Sequence, residues 1–545
     1  MITRAPKRFE RWIRKQADSL PDVQPQMAGA AIVLAHQRYL HGHHLAAMQA
    51  GQFTFLNRTA DLGVWPHIDW RVDLGEGNNP LWRMNLSYFG YLVPILAGGN
   101  PDDLRKAAAL IADFEKRCSL AAPGVLRDAW TAFAASFRVI NLLAAWTLYR
   151  EAGGRPDPDA DRILADHIRF CAAYTYWGRE EELGFNHLLK NQVALSVFES
   201  CADGTTPWCS WLERQLPECA ASQILDDGGH IERSPMYQGL VLQDLMLAHA
   251  CWAPARAPLE PIIAGARQAL GAMVHADGEV CLFNDAWIGE APPPAFLGAS
   301  AGMGKSILPD TGYVRLAGGA DSVIFDAGPV GPDSNPGHAH GDFLSFELTV
   351  AGERLVVDPG TPTYTAGDMR DWCRSSASHN GPHVKGMEGI EAWESFRVGR
   401  RGTASLLEGQ GLGELAPHAC AGVSDAFYRE SGILVGRWIG FWPGRQLLVV
   451  DIWPELGAGY HPAANLIFTR AYGLTILLGR AAAEGPADYW LEFGKVRNGF
   501  GVTLEPGADG VLAFAIQWGE PPAETANVAA QAADGLRRCL ADMRP

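Results

Sequence analysis

The feature that most constrains the fold is a change in the spacing of apolar residues near residue 300. Before it, Ala- and Leu-rich segments follow the period of a helix, about 3.6 residues; they are 103–117, 131–151, 160–176, 186–201 and 239–252. After about residue 310 come short runs rich in β-branched and aromatic residues, which predict strands; they are Ser322–Phe325, Phe343–Val350, Arg354–Asp358, Gln446–Trp453, Asn465–Arg470, Tyr489–Phe493 and Val511–Trp518. The sequence therefore predicts an α+β chain of two domains.

The Pro- and Gly-rich segment Gly289–Ser306 is the natural boundary between these two halves. We place a helical domain at residues 1–300 and an antiparallel β-sheet domain, built as a sandwich, at residues 307–545. Successive helices separated by short loops indicate antiparallel helix pairs, as in a toroid or a solenoid. The spacing alone does not choose between these two.

Charge and composition narrow the function. The formal charge of −16 argues against nucleic acid or an anionic membrane as a partner, because both require a basic surface. No stretch reaches the roughly 18 uncharged apolar residues of a membrane span. The 18 Trp residues suit stacking on the apolar faces of sugar rings, although most are expected to fill the core.

The cellular compartment is predicted from the N-terminal segment and from cysteine usage. The first residues, MITRAPKRFERWIRKQADSL, contain no apolar run of the kind that marks a secretory signal. The ten Cys form no CxxC motif and no regular framework, so reduced thiols are expected. We therefore expect a cytoplasmic protein.

The densest group of reactive side chains lies between Gly337 and Asn380. His338 and His340 are two residues apart, so in an extended strand both would project from one face. Asp358 and His379 follow, and two His with a carboxylate form a plausible zinc site. The alternative is that these histidines are simply satisfied by hydrogen bonds.

Strand register creates a difficulty for this site. A two-residue turn at Ala351-Gly352 would pair Phe346 with Val357, and it would place Asp358 on the face opposite the two histidines. A β-bulge near Gly341 would restore the common face.

A second polar group lies in the helical half. Asn186 and His187 begin a predicted helix, and the run from Asp226 to Tyr237, DDGGHIERSPMY, suggests a tight turn at a cleft. Simpler explanations exist for each residue, such as a helix cap at Asp227, surface charges, or a half-buried aromatic at Tyr237.

Six motifs in order resemble the heparinase II/III-like polysaccharide lyases, which include heparin-sulfate lyases and oligoalginate lyases. They are GFNHLLKNQVAL, DGGHIERSPMYQ, LFNDA, HAHGDFLSFEL, VVDPGTPTY and RSSASHN. The resemblance implies an incomplete α/α toroid followed by antiparallel sheets. It also implies cleavage of uronic-acid-containing glycans by β-elimination.

The resemblance assigns roles to individual residues. Asn186 and His187 would bind and neutralise the uronate carboxylate, and Tyr237 and His338 would be the catalytic pair. Tyr364 falls where oligoalginate lyases have a second active-site Tyr. Which of the last three is the base and which the acid stays open.

The resemblance also implies a zinc site and a substrate cleft. His340, Asp358 and His379 would hold a zinc ion of largely structural role, with no organic cofactor. Four further residues would bind substrate or shape its cleft, namely Glu232, Arg233, Arg374 and Asn380.

Two other functions compete with the lyase. One is a non-catalytic or editing factor in the metabolism of a uronate-containing exopolysaccharide. The other is a glycoside hydrolase that uses carboxylates such as Asp226, Asp227 and Glu232. The identity of the sugar and the formation of a homodimer stay open.

Overall fold

The computed structural model describes residues 6–75, 80–409, 411–454 and 459–543. They form two compact units. The first contains Met1–Gln223 and Leu240–Ala264, and the second contains Ile224–Gly239 and Gly265–Pro545.

This division differs from the predicted boundary between residues 300 and 307, because two earlier segments belong to the second unit. Hydrogen bonds explain why the first of these segments, Ile224–Gly239, belongs to the second unit. The Asp227 carboxylate accepts from the backbone N–H groups of Asp310 and Thr311, at 2.8 and 2.7 Å. The polar run before Tyr237 is therefore held to the beginning of the sheet domain.

The first unit is helical. Its helices are α1 (Pro6–Asp18), α2 (Ala30–His41), α3 (Leu45–Gln49), α4 (Pro80–Ser87), α5 (Leu92–Leu96), α6 (Pro101–Arg117), α7 (Ala132–Glu151), α8 (Pro158–Gly178), α9 (Phe185–Cys201) and α10 (Cys209–Gln223). A small hairpin joins β1 (Gln52–Phe55) to β2 (Arg58–Asp61). Helices α11 (Pro235–Cys251) and α12 (Ala253–Ala272) have residues in both units.

The predicted helices form where capping residues and apolar segments coincide. Asn100, Thr131 and Asp157 cap α6, α7 and α8, each accepting a hydrogen bond from a backbone N–H of the first turn. Helix α7 packs against α5, α8 and α9. It is long and apolar enough to cross a membrane, but 89% of its most apolar window is buried, as in the core helix of a globular unit.

The second unit contains most of the strands. They are β3 (Gly304–Leu308), β4 (Tyr313–Gly318), β5 (Asp321–Asp326), β6 (Phe346–Val350), β7 (Glu353–Val356), β8 (Pro382–Val384), β9 (Ile390–Trp393), β10 (Arg397–Arg401), β11 (Ala404–Leu406), β12 (His418–Ser424), β13 (Val435–Trp442), β14 (Gln446–Ile452), β15 (Pro462–Phe468), β16 (Leu474–Leu478), β17 (Arg480–Glu492), β18 (Lys495–Glu505) and β19 (Val511–Gln517). Three further helices are α13 (Asp368–Arg374), α14 (Tyr428–Ser431) and α15 (Thr525–Asp542).

Two antiparallel sheets form the sandwich. The larger has the order β17-β18-β15-β7-β6-β5-β4-β3, with β8 paired to β15, and the smaller has the order β11-β12-β13-β14-β19-β16. Apolar side chains of both sheets, such as Phe325 and Phe441, share one core. The other face of the smaller sheet packs against α15 through residues that include Trp438 and Leu536.

The β6–β7 hairpin corrects the predicted register. Val350 pairs with Glu353 as expected, but the register then shifts, so that Leu348 lies opposite Val356 instead of Leu355. The irregularity therefore lies within this hairpin and not near Gly341. A shift of one residue reverses the side-chain face of β7 relative to the prediction, but Asp358 lies beyond the end of that strand.

Candidate functional site

The H-x-H segment lies in a loop and not in a strand. Strand β6 begins only at Phe346, so the strand geometry expected for His338 and His340 is wrong. The loop is held from two sides: the Arg374 Nε donates to the carbonyl of Ala339 (3.1 Å), and the Asp285 N–H donates to the carbonyl of His338 (3.0 Å).

Three of the predicted catalytic residues lie together in the second unit. The hydroxyl oxygens of Tyr237 and Tyr364 are 3.2 Å apart, and the rings of Tyr237 and His338 have centroids 4.3 Å apart. Burial raises the pKa of Tyr237 and that of Tyr364 well above their usual range. Both phenols are therefore neutral near neutral pH and available as proton donors.

Sequence reasoning missed the carboxylate beneath this group. Asp285 is fully buried, and its two oxygens accept from His338 Nδ1 and His340 Nε2, each at 2.9 Å. Arg370 donates to both oxygens as well. Burial alone would raise the pKa of Asp285, but Arg370 and the two histidines hold it well below its usual range. Asp285 belongs to the LFNDA motif, and this motif is the sequence signal from which its role could have been suspected.

Backbone strain accompanies these contacts. Arg233 and Asn284 both have φ in the left-handed region, at 54° and 58°. The Asn284 side chain accepts from the His340 N–H (3.0 Å) and donates to the Arg233 carbonyl (3.2 Å). Ser234 donates to the Asp285 carbonyl at 2.6 Å, next to the first turn of α11, which carries Tyr237.

Three residues expected to bind substrate or shape its cleft, namely Arg233, Arg374 and Asn380, are buried and donate to backbone carbonyls. The Arg233 guanidinium donates to the carbonyls of four residues, which are Ile231, Asp310, Thr311 and Gly331. Asn380 donates to the carbonyls of Phe346 and Val357 and accepts from the Ile467 N–H. With Arg374, whose Nη2 is buried without a hydrogen-bond partner in the described part of the chain, these side chains support the loops of the site.

Glu232 is the one carboxylate among the four residues expected to bind substrate or shape its cleft. It is buried, and its Oε2 has no hydrogen-bond partner within the described part of the chain. The alternative that Glu232 is a surface charge is therefore wrong. A buried acceptor without a donor is a place where a ligand or water group would bind.

The predicted zinc ligands lie near one another. His379 Nδ1 is 2.7 Å from an oxygen of Asp358, and the rings of His340 and His379 have centroids 5.4 Å apart. Burial raises the pKa of Asp358 to about 6, although His379 acts in the opposite direction.

The donor chemistry of these residues fits zinc, with two nitrogens available. His340 Nδ1 and His379 Nε2 are buried and make no hydrogen bond to any described residue. Among the residues that the structure describes, however, no three His, Cys, Asp or Glu side chains stand around one point as metal ligands would. Asp358 would have to exchange its hydrogen bond with His379 for the ion.

Asn186 and His187 lie in the first unit, at the beginning of α9 as predicted. The His187 ring stacks on Phe133, with centroids 4.3 Å apart, and its Nδ1 lies 3.4 Å from a carboxylate oxygen of Glu180. The Asn191 side chain bonds Glu180 and Ser136, so it supports this turn.

Exposed aromatic rings flank the tyrosine and histidine group of the second unit. Phe396, in the turn between β9 and β10, is 43% exposed, and its ring centroid lies 4.9 Å from that of Tyr364 and 5.6 Å from that of His338. Trp393 in β9 is 46% exposed. Their half-exposed rings are suited to stacking on apolar faces.

Comparison with solved structures identifies the class of fold. The structure titled heparinase III superposes with a TM-score of 0.68 at 13% identity, over 96% of this chain and 92% of that chain. A heparan sulfate lyase HepC mutant from Pedobacter heparinus gives a TM-score of 0.57 at 15% identity, over 95% and 89%. The predicted fold, a helical toroid followed by an antiparallel β-sandwich, is confirmed.

The sequence comparisons point to the same group of proteins. Residues 303–511 match the family described as heparinase II/III-like, C-terminal, so the predicted resemblance is confirmed over this part of the chain. FtsZ-localized protein C of Caulobacter vibrioides is 28% identical over 304 residues, which are 52% of this chain. The match spans about half of that relative, 49% of its length.

Proposed function

We propose that this protein is a polysaccharide lyase that cleaves uronate-containing glycans by β-elimination. The observation that carries the proposal is the contact of Tyr237 with both Tyr364 and His338, in a domain of the heparinase II/III-like family. Phenol and imidazole groups in mutual contact supply both an acid and a base.

The chemistry requires these two roles. The base removes the proton on C5 of the uronate, the C5–H electrons form a C4=C5 double bond, and the C4–O bond breaks as its oxygen takes a proton. We assign the base to His338, whose Nδ1 is held by Asp285, and the acid to Tyr237, because its raised pKa keeps the phenol protonated.

The C5 proton is weakly acidic while the neighbouring carboxylate carries its full charge. Hydrogen-bond donors aimed at that carboxylate stabilise the enolate-like transition state. We assign this role to Asn186 and His187. The Glu180 carboxylate lies 3.4 Å from His187 Nδ1 and can orient this ring.

The substrate we propose is rich in carboxylates and poor in sulfate. Phe396 and Trp393 offer exposed rings for sugar faces. The cations of β10 are Arg397, Arg400 and Arg401, and a guanidinium group matches a carboxylate with two parallel hydrogen bonds. Arg400 and Arg401 already pair with Glu430 and Asp333, so a substrate carboxylate would have to share or replace these partners.

We further propose a structural zinc ion held by His340, His379 and Asp358, which would tie the loops of the site together. The two unpartnered ring nitrogens support it. A cytoplasmic location is also a proposal, supported by ten cysteines that are all free thiols in the structure. Formation of a homodimer stays a prediction.

The test is incubation of the purified protein with alginate, heparan sulfate, hyaluronan, glucuronan and bacterial exopolysaccharides while the ultraviolet absorbance of an unsaturated uronate is followed. A rise that Tyr237→Phe abolishes supports elimination. Release of reducing ends without that absorbance would contradict it and favour the hydrolase.

A second candidate is a non-catalytic factor recruited to another assembly. The observation that favours it is the similarity to a relative named for its localisation with FtsZ. In that case the protein would bind its partner without turnover, and every substrate in the panel would stay intact.

A further inference from the structure

One carboxylate contacts both histidines of the H-x-H segment, and it uses a different ring nitrogen of each. Asp285 Oδ2 lies 2.9 Å from His338 Nδ1, and Oδ1 lies 2.9 Å from His340 Nε2. Thr361 Oγ1 adds a longer contact to Oδ1 at 3.4 Å.

Asp285 is present as the carboxylate. Arg370 donates from two different nitrogens to its two oxygens, and both side chains are completely buried. A bidentate arginine matches the geometry of an ionised carboxylate. Such a group accepts hydrogen bonds and donates none, so each histidine nitrogen facing it must carry a proton.

In their neutral forms the two rings are therefore held as opposite tautomers. His338 carries its proton on Nδ1 and leaves the lone pair of Nε2 available, whereas His340 carries its proton on Nε2 and leaves Nδ1 available. His340 Nδ1 is indeed buried without a partner in the described part of the chain. The side chain of His338 is 17% exposed, so a substrate can reach this ring.

Hydrogen bonds of the backbone also hold Asp285 next to His338. The Asp285 N–H donates to the His338 carbonyl at 3.0 Å, and the Asp285 carbonyl accepts from Ser234 at 2.6 Å. The Ser234 hydroxyl in turn accepts from the Tyr237 N–H at 3.3 Å. Asp285 thus links the loop of His338 to the beginning of the helix that carries Tyr237.

We infer that Asp285, clamped by Arg370, is a positioning residue that fixes the tautomer and ring orientation of His338 and so presents Nε2 as the proton acceptor. The inference rests on the proposed lyase function for its catalytic meaning, but the tautomers themselves do not depend on it. Asp285 touches no reacting atom and acts through His338.

The activity test is Asp285→Asn. The amide has an N–H₂ group that can donate to His338 Nδ1, which would leave the proton on Nε2. The equivalent change in the Ser-His-Asp triad lowers kcat about ten-thousand-fold. We expect kcat to fall by about a thousand-fold or more while KM changes by less than about threefold, because substrate contacts are retained.

The matched control is Asp451→Asn. Asp451 is also completely buried and paired with an arginine through both oxygens, Arg437, but it contacts no histidine among the described residues. It should lower the melting temperature and leave kcat unchanged. An equal loss of kcat in both variants would reduce Asp285 to a structural role and overturn the inference.

The spectroscopic test works on the wild-type protein. Two-bond ¹⁵N–¹H correlation spectra of ¹⁵N-histidine-labelled protein, assigned with His338→Gln and His340→Gln, report which nitrogen carries the proton. We expect Nδ1–H for His338 and Nε2–H for His340. The Nε2–H form of His338 would overturn the inference even if Asp285→Asn fails to fold. The expected tautomers in a protein inactive on every glycan would instead contradict the proposed function alone.

Discussion

The hydroxyl oxygens of Tyr237 and Tyr364 lie 3.2 Å apart, although the residues are 127 positions apart in the chain. At this distance one phenol donates to the other. In the proposed mechanism Tyr237 gives its proton to a leaving oxygen, and Tyr364 is placed to replace that proton. The pair would then act as a short proton relay next to His338.

This relay predicts unequal effects for the two tyrosines. Tyr237→Phe removes the proposed acid, and we expect activity to fall by about a hundred- to ten-thousand-fold. Tyr364→Phe should reduce activity less, because Tyr237 keeps its own proton. Initial rates by absorbance check this, with Tyr149→Phe as a control that removes a hydroxyl bonded to the Arg155 carbonyl. A larger loss of activity for Tyr364→Phe than for Tyr237→Phe would indicate that Tyr364 is the acid and Tyr237 the residue that replaces its proton.

Asn186 and His187 are predicted to act on the transition state. Replacing either by Ala should lower kcat by about a hundred- to a thousand-fold, as for the loss of one oxyanion donor. Asn191→Ala is the contrasting variant, because its side chain supports the turn around Glu180 and should change stability more than kcat. If Asn186→Ala and His187→Ala raise only KM, these residues bind the ground state and the transition state equally, which would contradict the proposed role.

Acid should destabilise the first unit through His41. Burial, with His36 and His44 nearby, lowers the pKa of His41 to about 3, whereas an unfolded histidine titrates near about 6.5. The unfolded chain therefore binds the proton first. The stabilising contribution is complete above about pH 6.5 and is lost at about 1.4 kcal/mol per pH unit as the pH falls towards 3.

The measurement is the melting temperature of wild type and His41→Asn at about pH 7.5 and pH 5.5. We expect the wild type to lose more stability between these two values than the variant does. Parallel losses in the two proteins would show that His41 is not the group that takes up the proton.

The zinc proposal predicts a stoichiometric metal. Elemental analysis of protein purified without chelator should give about one zinc per chain, as for a site of fixed ligand number. Chelation should lower the melting temperature, and His379→Ala should abolish both the metal and that response. His383→Ala, a nearby buried histidine outside the ligand set, serves as the control. Protein with no metal and an unchanged melting temperature after chelation would contradict the site.

The period change was sufficient to predict the two kinds of secondary structure. Helices α6 to α9 and strands β5, β14 and β19 lie where apolar spacing predicts them, because each repeats its pattern over many residues. The prediction of an extended H-x-H segment is wrong because distant residues help to hold this segment as a loop. Tertiary hydrogen bonds with Arg374, Asp285 and Asn284 do so, and no local pattern reports them.

The same limit applies to the site. Tyr237, His338 and Tyr364 were predicted from motifs, and the structure brings them together. Asp285 was missed because its partners His338 and Arg370 are 53 and 85 residues away, and no local pattern reports such a contact. The hydrogen bonds of Asn380 could not be predicted, because an amide bonded to backbone looks the same in sequence as one that binds sugar.

The most direct measurement is the mass of the products formed from a defined uronate oligosaccharide that the panel identifies as a substrate. Elimination predicts two products: a saturated fragment, and a fragment whose new non-reducing-end uronate carries a C4=C5 double bond and lacks one water relative to the product of hydrolysis. Tyr237→Phe should abolish its formation. Two saturated products, both of full hydrolytic mass, would contradict the lyase mechanism.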